Sequence, residues 1–170
     1  GTAIGGVTSA DVAVERLDGR YAEYSFAARR PLRVQVRDGD VSLRDGALEV
    51  AGGGIEGGWG AGGLRGAGRI RFTRIPLAIV SLIRERASVL GHVSGEISRS
   101  AAGGDLEVSA ITTGAGIASA AAPGGVARVD LGVTARMSAW RTRIESSLAR
   151  ADGELRFDVA ADVPAGIDGV

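Results

Sequence analysis

Few residues in this sequence could carry out acid–base or nucleophilic chemistry. Cysteine is absent and His92 is the single histidine among 170 residues, which excludes thiolate nucleophiles and the usual cysteine- and histidine-rich zinc sites. A catalytic imidazole needs a nucleophile or a carboxylate positioned beside it, and no residue near His92 has such a spacing. The carboxylates fall mainly at positions typical of turns, namely Asp38, Asp40, Asp45, Asp105 and Asp152. The sequence therefore predicts neither an enzyme nor a metal or cofactor site.

The glycine-rich tract 52–68 could be a phosphate-binding loop, but its surroundings lack the other residues of such a loop. No G-K-[ST] follows it, all 20 basic residues of the chain are arginines, and no βαβ unit surrounds it. Two structures remain open: a flexible loop, or strands whose backbones approach too closely for a side chain. Alternation persists through Ile55, Trp59, Leu64 and Ile70, which favours bent, glycine-kinked strands.

The composition narrows the class of protein further. The 20 basic and 20 acidic residues give a net charge of zero, so nothing indicates binding to nucleic acid or to an anionic membrane surface. A hydrophobic content of 45% without charge imbalance is not typical of disordered chains. No apolar run reaches the roughly 18–20 residues of a transmembrane helix. The chain shows no signal peptide, and we interpret residues 1–170 as a single β-rich segment excised from a longer protein.

Strict alternation of apolar and polar residues predicts an all-β fold. Such a period of two gives each strand one apolar and one polar face, and Asp-Gly pairs at 38–39 and 45–46 predict tight hairpin turns in an antiparallel meander. We count roughly twelve strands by this criterion. The residues predicted to share the apolar face, and so to line a groove, are Leu32, Val34, Val36, Val41, Leu43, Leu48, Val50, Ile70, Phe72, Val129, Leu131, Val133, Leu155, Phe157 and Val159.

One segment departs from the alternation. Between Ile75 and Leu90 the polar residues form one stripe at helical spacing on an otherwise apolar surface. Pro76 suits the first helical position and Gly91 suits the stop, so the sequence predicts an amphipathic helix over about 76–88. Its apolar side, with Ile79, Leu82 and Ile83, is expected to cover part of the groove.

These elements together predict strands in 1–74, a helix in 75–90 and strands in 91–170, all in one sheet. About twelve strands at ~4.8 Å spacing make a sheet roughly 55–60 Å long. An apolar face of that size needs a second layer, and a single helix cannot supply it. We therefore expect a long, highly curved, mainly antiparallel sheet that folds over and leaves an apolar trough. With only two Trp, two Tyr and three Phe in the chain, the trough should be smooth, as suits acyl chains.

The order of elements resembles the TamB family, the translocation and assembly module component of the AsmA-like superfamily. Ile75-Pro76-Leu77 matches the start of the family's x-L-P-L helix, and Leu90-Gly91 through Gly95-Glu96-Ile97 matches the glycine-spaced strand after it. The following segment, 99–105, lacks the Thr and Pro that the family often has there. The resemblance covers most of the chain as a pattern.

The resemblance implies a folded-over β-groove (a β-taco) in the periplasm of a Gram-negative cell envelope. It implies a parent protein anchored in the inner membrane by a single segment outside this fragment, with a role in outer-membrane biogenesis. Its partners would be phospholipid acyl chains or unfolded outer-membrane protein strands, together with an outer-membrane Omp85-class protein (TamA-like). The implied function is phospholipid transport between the two membranes, assistance in autotransporter assembly and secretion, or both, without a cofactor.

A second function class stays open from the sequence. Extracellular β-solenoids, such as autotransporter passengers, are also rich in glycine and strands and serve as structural or adhesive modules. They seldom contain an apolar amphipathic segment like the one between Ile75 and Leu90, which favours the groove.

Overall fold

The structure, a computed structural model, describes residues 9–82, 88–118, 128–138, 141–150 and 156–164. The strands follow one another along the chain with short 3-10 helices in two of the connections, at Gly63–Arg65 and Leu77–Leu82. In order they are β1 (Ser9–Val14), β2 (Asp18–Tyr21), β3 (Tyr24–Arg37), β4 (Asp40–Val50), β5 (Gly53–Trp59), β6 (Gly68–Pro76), β7 (Ser88–Arg99), β8 (Leu106–Ala118), β9 (Val129–Met137), β10 (Thr142–Arg150) and β11 (Arg156–Val163).

These strands form one open, 11-stranded antiparallel sheet, which confirms the predicted fold class. The order across the sheet is β1-β3-β4-β5-β6-β7-β8-β9-β10-β11, so that from β3 onward each strand pairs with its successor in the chain. β2 pairs with the first part of β3 and β1 with its last part, so the two short strands share one edge of the sheet. β11 forms the other edge.

Two-residue turns connect the strands of the first meander. Asp38 and Gly39, between β3 and β4, have φ values of 52° and 85°, and positive φ at both central residues is the signature of a type I′ turn. This confirms the first predicted hairpin. Ala51 and Gly52 repeat the same geometry between β4 and β5, with φ values of 51° and 80°.

The turn predicted at Asp45-Gly46 is wrong, because β4 runs straight through these residues. Neither adopts the positive φ that a two-residue hairpin turn needs. Pairing with β5 instead skips one position, from Leu43 opposite Trp59 to Gly46 opposite Gly57. Two residues of β4 therefore oppose one of β5, which is a β-bulge. The Asp-Gly pair at 152–153 lies outside the described residues.

The helix predicted over 76–88 is replaced by a shorter and different element. β6 continues through Pro76, a six-residue 3-10 helix follows at Leu77–Leu82, and β7 begins at Ser88. Residues 83–87, including Ile83, lie outside the described part of the chain, as does the side chain of Leu82. Ile79 is half-buried in the 3-10 helix, which packs against β7.

Strand pairing explains this difference. Pro76 lies opposite His92, and Ser88 lies opposite Ala118, so both ends of the predicted helix belong to strands. Low helix propensity is not the reason, because only Ile79, Val80 and Ile83 are β-branched among the eleven residues between them. Gly91, predicted to stop the helix, instead has a φ of 100° at a register shift inside β7.

The glycine-rich tract is a bent strand in its first part and a connection in its second. β5 covers Gly53–Trp59, and a 3-10 turn leads from it to β6. Gly57 has a φ of 137°, and a Cβ there would collide with the carbonyl oxygen of Arg69 on β6. Close approach of two backbones is therefore the reason for glycine at this position.

The sheet has little enclosed core. Ala47 and Leu106 are the buried apolar residues of the described chain, and none of its side chains is fully buried. The accessible surface is 11597 Å², against about 7800 Å² for a compact domain of this mass. No helix among the described residues is long and apolar enough to cross a membrane. Most apolar side chains are therefore half-buried on a single sheet rather than enclosed between two layers.

Candidate functional site: the apolar face of the sheet

The register decides which side chains share a face, because directly opposed residues of an antiparallel pair point to the same side. Val34 lies opposite Leu43, and Val36 lies opposite Val41. Leu43 and Leu48 are five residues apart and would face opposite sides of a regular strand. The extra residue of the β-bulge in β4 brings both side chains to the same face. Each alternating segment thereby adds its apolar half to one continuous surface.

We call this surface the apolar face. It contains every predicted groove position that the structure describes; the remaining one, Leu155, lies outside the described residues. The members are Leu32, Val34, Val36, Val41, Leu43, Leu48, Val50, Ile70, Phe72, Val129, Leu131, Val133, Phe157 and Val159.

The register adds residues that the sequence analysis left out of the groove. Ile97 lies opposite both Ile70 and Val108, and Leu148 lies opposite both Leu131 and Phe157. Alternation with polar neighbours was a usable sequence signal for the three added residues, Ile97, Val108 and Leu148. Ile75 had no such signal, because a register shift between Phe72 and Ile75 changes its phase and brings it opposite Val93.

One row of the apolar face crosses eight consecutive strands. From β4 to β11 it consists of Leu48, Ile55, Phe72, Gly95, Ala110, Val133, Ser146 and Val159. Seven spacings of ~4.8 Å make this row about 34 Å long. Gly95 leaves room for the ring of Phe72, since a Cβ there would lie 2.7 Å from Cζ. The row is a nearly continuous apolar path perpendicular to the strands, and the hydroxyl of Ser146 is its one polar side-chain group.

The apolar face is incompletely covered. Most of its described members are half-buried, while Val41, Phe157 and Val159 are 58%, 58% and 60% exposed. All the described strands belong to the one sheet, so no second sheet in that part of the chain covers these side chains. The face is thus available for contact with apolar groups from outside the described residues.

The opposite face carries charge pairs that link neighbouring strands. Arg69 and Arg71 on β6 both reach Glu96 on β7, at 3.0 and 3.1 Å, and Arg136 on β9 pairs with Glu107 on β8. Exposed pairs like these contribute at most about 1 kcal/mol each. Their main effect is on register, because a slip of one residue would carry the charges to the apolar face.

Concave regions also occur on this polar face. A trough of about 970 Å³ spans β6 to β11. Its polar lining combines hydroxyl side chains with charged ones, namely Ser94, Ser109, Thr134 and Ser147 with Arg71, Glu96, Asp130, Glu145, Arg156 and Asp158. Ile111, which is 62% exposed, lies in the same trough. A twisted sheet curves in two directions, so each of its faces has concave regions.

Arg99 is an exception to the separation of charged and apolar faces. It lies opposite Gly68 at the end of β7, in register with the apolar face, and only 4% of it is exposed. Its Nε has no hydrogen-bond partner among the described residues. A buried polar atom without a hydrogen bond costs folding free energy, so the Nε of Arg99 makes this end of β7 locally unfavourable.

The polar groups of the sheet do not converge on one point. His92 is an exposed strand residue opposite Pro76 and Thr113, and the described residues contain no group of three or more His, Cys, Asp or Glu that could hold a metal ion. No protein-family model, curated protein or solved structure matches this chain. The apolar face is the feature from which a function can be argued.

Proposed function

We propose that this chain is a segment of a periplasmic β-groove whose apolar face carries the acyl chains of phospholipid between the inner and outer membranes. One observation carries the proposal: an apolar face extends over the whole open sheet and has almost no enclosed core beneath it. Leaving such a face in water costs about 25 cal/mol per Å² of apolar area. A cargo that covers the face removes this cost.

Acyl chains fit the chemistry of the face. A site for one specific ligand combines apolar walls with a few convergent polar groups, whereas the row from Leu48 to Val159 offers aliphatic side chains, one ring and one hydroxyl. Such a surface has no preferred position along its length. An alkyl chain can therefore slide along it without crossing a large barrier, as conduction requires.

The resemblance to the TamB family motivates the rest of this proposal. It places the chain in the periplasm, in a parent protein held in the inner membrane, next to an Omp85-class partner of the outer membrane. Unfolded outer-membrane strands, which also have one apolar side, are the other cargo that the face could hold. The extracellular β-solenoid is less favoured, because passenger-type β-helices pair their strands in parallel, whereas the described pairings are antiparallel.

Site-specific photo-crosslinking in cells tests the proposal. A photoreactive amino acid at Val133 on the apolar face should capture phospholipid, identified by mass spectrometry of the adduct. The neighbouring residue Thr134 points to the opposite face and is the matched control, which should capture little lipid. Adducts with outer-membrane proteins at Val133 would identify protein strands as the cargo instead. Equal capture at both positions, or none at either, would contradict the groove.

A further inference from the structure

Arginines collect in one concave region of the polar face, over β3 to β6. The region has a volume of about 830 Å³. β1 lies beyond β3 and β7 lies beyond β6, so strands of the same sheet border the region on both sides. We call it the arginine cavity after the five arginines that line it, Arg30, Arg37, Arg44, Arg69 and Arg71.

The centre of the cavity floor is bare backbone at Gly58, which lies between Arg44 on β4 and Arg69 on β6. Gly58 pairs directly with Arg69, and the β-bulge places residues 44–45 of β4 opposite it on the other side. A Cβ at Gly58 would collide with the carbonyl oxygen of Arg44, so glycine is required there. Without a side chain at position 58, a gap remains between the two arginines, whose backbones lie two strand spacings, about 10 Å, apart.

Three of the five arginines have carboxylate partners. Arg30 pairs with Asp45 at 2.8 Å. Arg69 and Arg71 share the single carboxylate of Glu96, which can balance only one of their two charges.

The other two arginines, Arg37 and Arg44, have no ion pair in the described part of the chain. Arg44 donates to the neutral Oε1 of Gln35 at 3.3 Å. Two further carboxylates, those of Asp40 and Glu56, line the cavity. Together with the two paired carboxylates they make four against five arginines. The cavity therefore keeps one positive charge in excess and two guanidinium groups that can bind an anion.

We propose that the arginine cavity binds a water-soluble phosphate, held between Arg44 and Arg69 above Gly58. Guanidinium groups bind phosphate oxygens through paired N–H donors, and a concave surface concentrates the potential of such charges. A tetrahedral anion offers oxygens to arginines on two sides of it, whereas both oxygens of a carboxylate lie on one edge. The cavity is on the polar face, so its ligand is not the headgroup of a lipid whose acyl chains lie on the apolar face.

Calorimetric titration of the 170-residue chain with inorganic phosphate tests this site. Acetate at the same ionic strength is the control anion and should bind at least about tenfold more weakly than phosphate. Phosphatidylglycerol vesicles should leave the phosphate affinity unchanged. Competition by the vesicles would overturn the assignment of a water-soluble ligand.

Arg44→Gln removes one side of the site and should weaken phosphate binding about tenfold or more. Arg143→Gln is the matched control, because Arg143 is an exposed arginine of β10, outside the cavity, in a pair with Glu145. It should bind phosphate like the wild type.

Glu56→Gln separates recognition of charge from damage to the sheet. It removes a carboxylate that lines the cavity and has no ion pair in the described part of the chain, so phosphate should bind several-fold more tightly because like-charge repulsion is lost. Damage to the fold would weaken binding instead.

The proposal is overturned by absence of phosphate binding, equal binding of acetate, no effect of Arg44→Gln, an equal loss in Arg143→Gln, or no gain in Glu56→Gln. The titrations without vesicles contain no lipid, so their outcome does not depend on whether the apolar face carries acyl chains.

Discussion

Arg99 shows how a single residue can oppose the pattern of the sheet around it. Its position belongs by register to the apolar face, and its buried Nε has no hydrogen-bond partner among the described residues. Residues of this type are usually paired or exposed. The guanidinium should therefore lower the stability of the chain, and its removal can be tested directly.

Arg99→Met should stabilise the protein by about 1–4 kcal/mol, because an apolar side chain of similar length replaces a buried guanidinium whose Nε makes no described hydrogen bond. Thermal or urea unfolding measures this change. Arg136→Met is the control: it removes an equally long cation from an exposed ion pair with Glu107 and should change stability by less than about 1 kcal/mol. A large loss of stability in Arg99→Met would show that Arg99 has a partner that stabilises the fold.

Gly57→Ala should destabilise the sheet more than Gly39→Ala. Both glycines have positive φ, 137° and 85°, but a Cβ at Gly57 collides with the carbonyl oxygen of Arg69, whereas a Cβ at Gly39 meets nothing within 4 Å. We expect a loss of about 1 kcal/mol at Gly39 from backbone strain alone and about 2–4 kcal/mol at Gly57. Chemical denaturation compares the two variants, and equal losses would contradict the close approach of β5 and β6.

At the scale of an element, each strand has an apolar side and a polar side. The side chains on one side of β9, including Leu131 and Val133, contribute to the apolar face, and those on the other, including Thr134 and Arg136, meet water and charge. Because strands have a period of two, neighbouring residues are natural controls for each other. The absence of native cysteine makes thiol labelling a direct probe of this separation.

Single-cysteine variants at Val133 and Thr134 should react differently with a maleimide in the presence of detergent micelles. We expect the apolar face to bind the micelle, so Val133→Cys should be protected several-fold relative to its rate without detergent. Thr134→Cys is exposed on the opposite face and should keep its rate. Equal protection of both cysteines would mean that the two faces of β9 are not distinguished by apolar ligands.

At the scale of the whole molecule, the proposed function needs a path for cargo rather than a pocket, and a long open sheet can supply one. The rows of the apolar face run across the strands, so their length depends on the number of strands. A change in the middle of a row should therefore affect passage along the groove more than the folding of one strand. Leu131 is such a position, between Thr112 on β8 and Leu148 on β10.

Leu131→Arg should impair outer-membrane integrity in cells while leaving much of the parent protein folded. A charge in the path is a barrier to an acyl chain, and on an open face the arginine can bend toward water, which limits the cost to the fold. Thr134→Arg makes a comparable substitution on the opposite face of the same strand and should be nearly silent. Detergent sensitivity at matched protein levels is the measurement. A wild-type response from Leu131→Arg, or an effect due entirely to loss of protein, would favour a structural role.

The strand content, the first hairpin turn and the division of side chains between two faces could all be predicted from the residues alone. These features follow from local chemistry: the period of two in segments such as Leu32 to Val36 and the positive φ that Asp38-Gly39 readily adopts. Even the members of the apolar face could be predicted in large part, because alternation holds within each regular stretch of strand, although the β4 bulge and the shift before Ile75 change its phase.

Features that depend on the neighbouring strand could not be predicted from the sequence and are seen only in the tertiary structure. Asp45-Gly46 has the same residues as a tight turn, yet it lies inside β4 because β5 pairs on both sides of it. The 76–88 segment has helical periodicity, yet its first residue pairs as part of β6 and its last as part of β7. The burial of Arg99 likewise depends on what lies beside it. Local pattern specifies which face a side chain takes, whereas strand pairing, a long-range interaction, decides where strands continue, bulge and end.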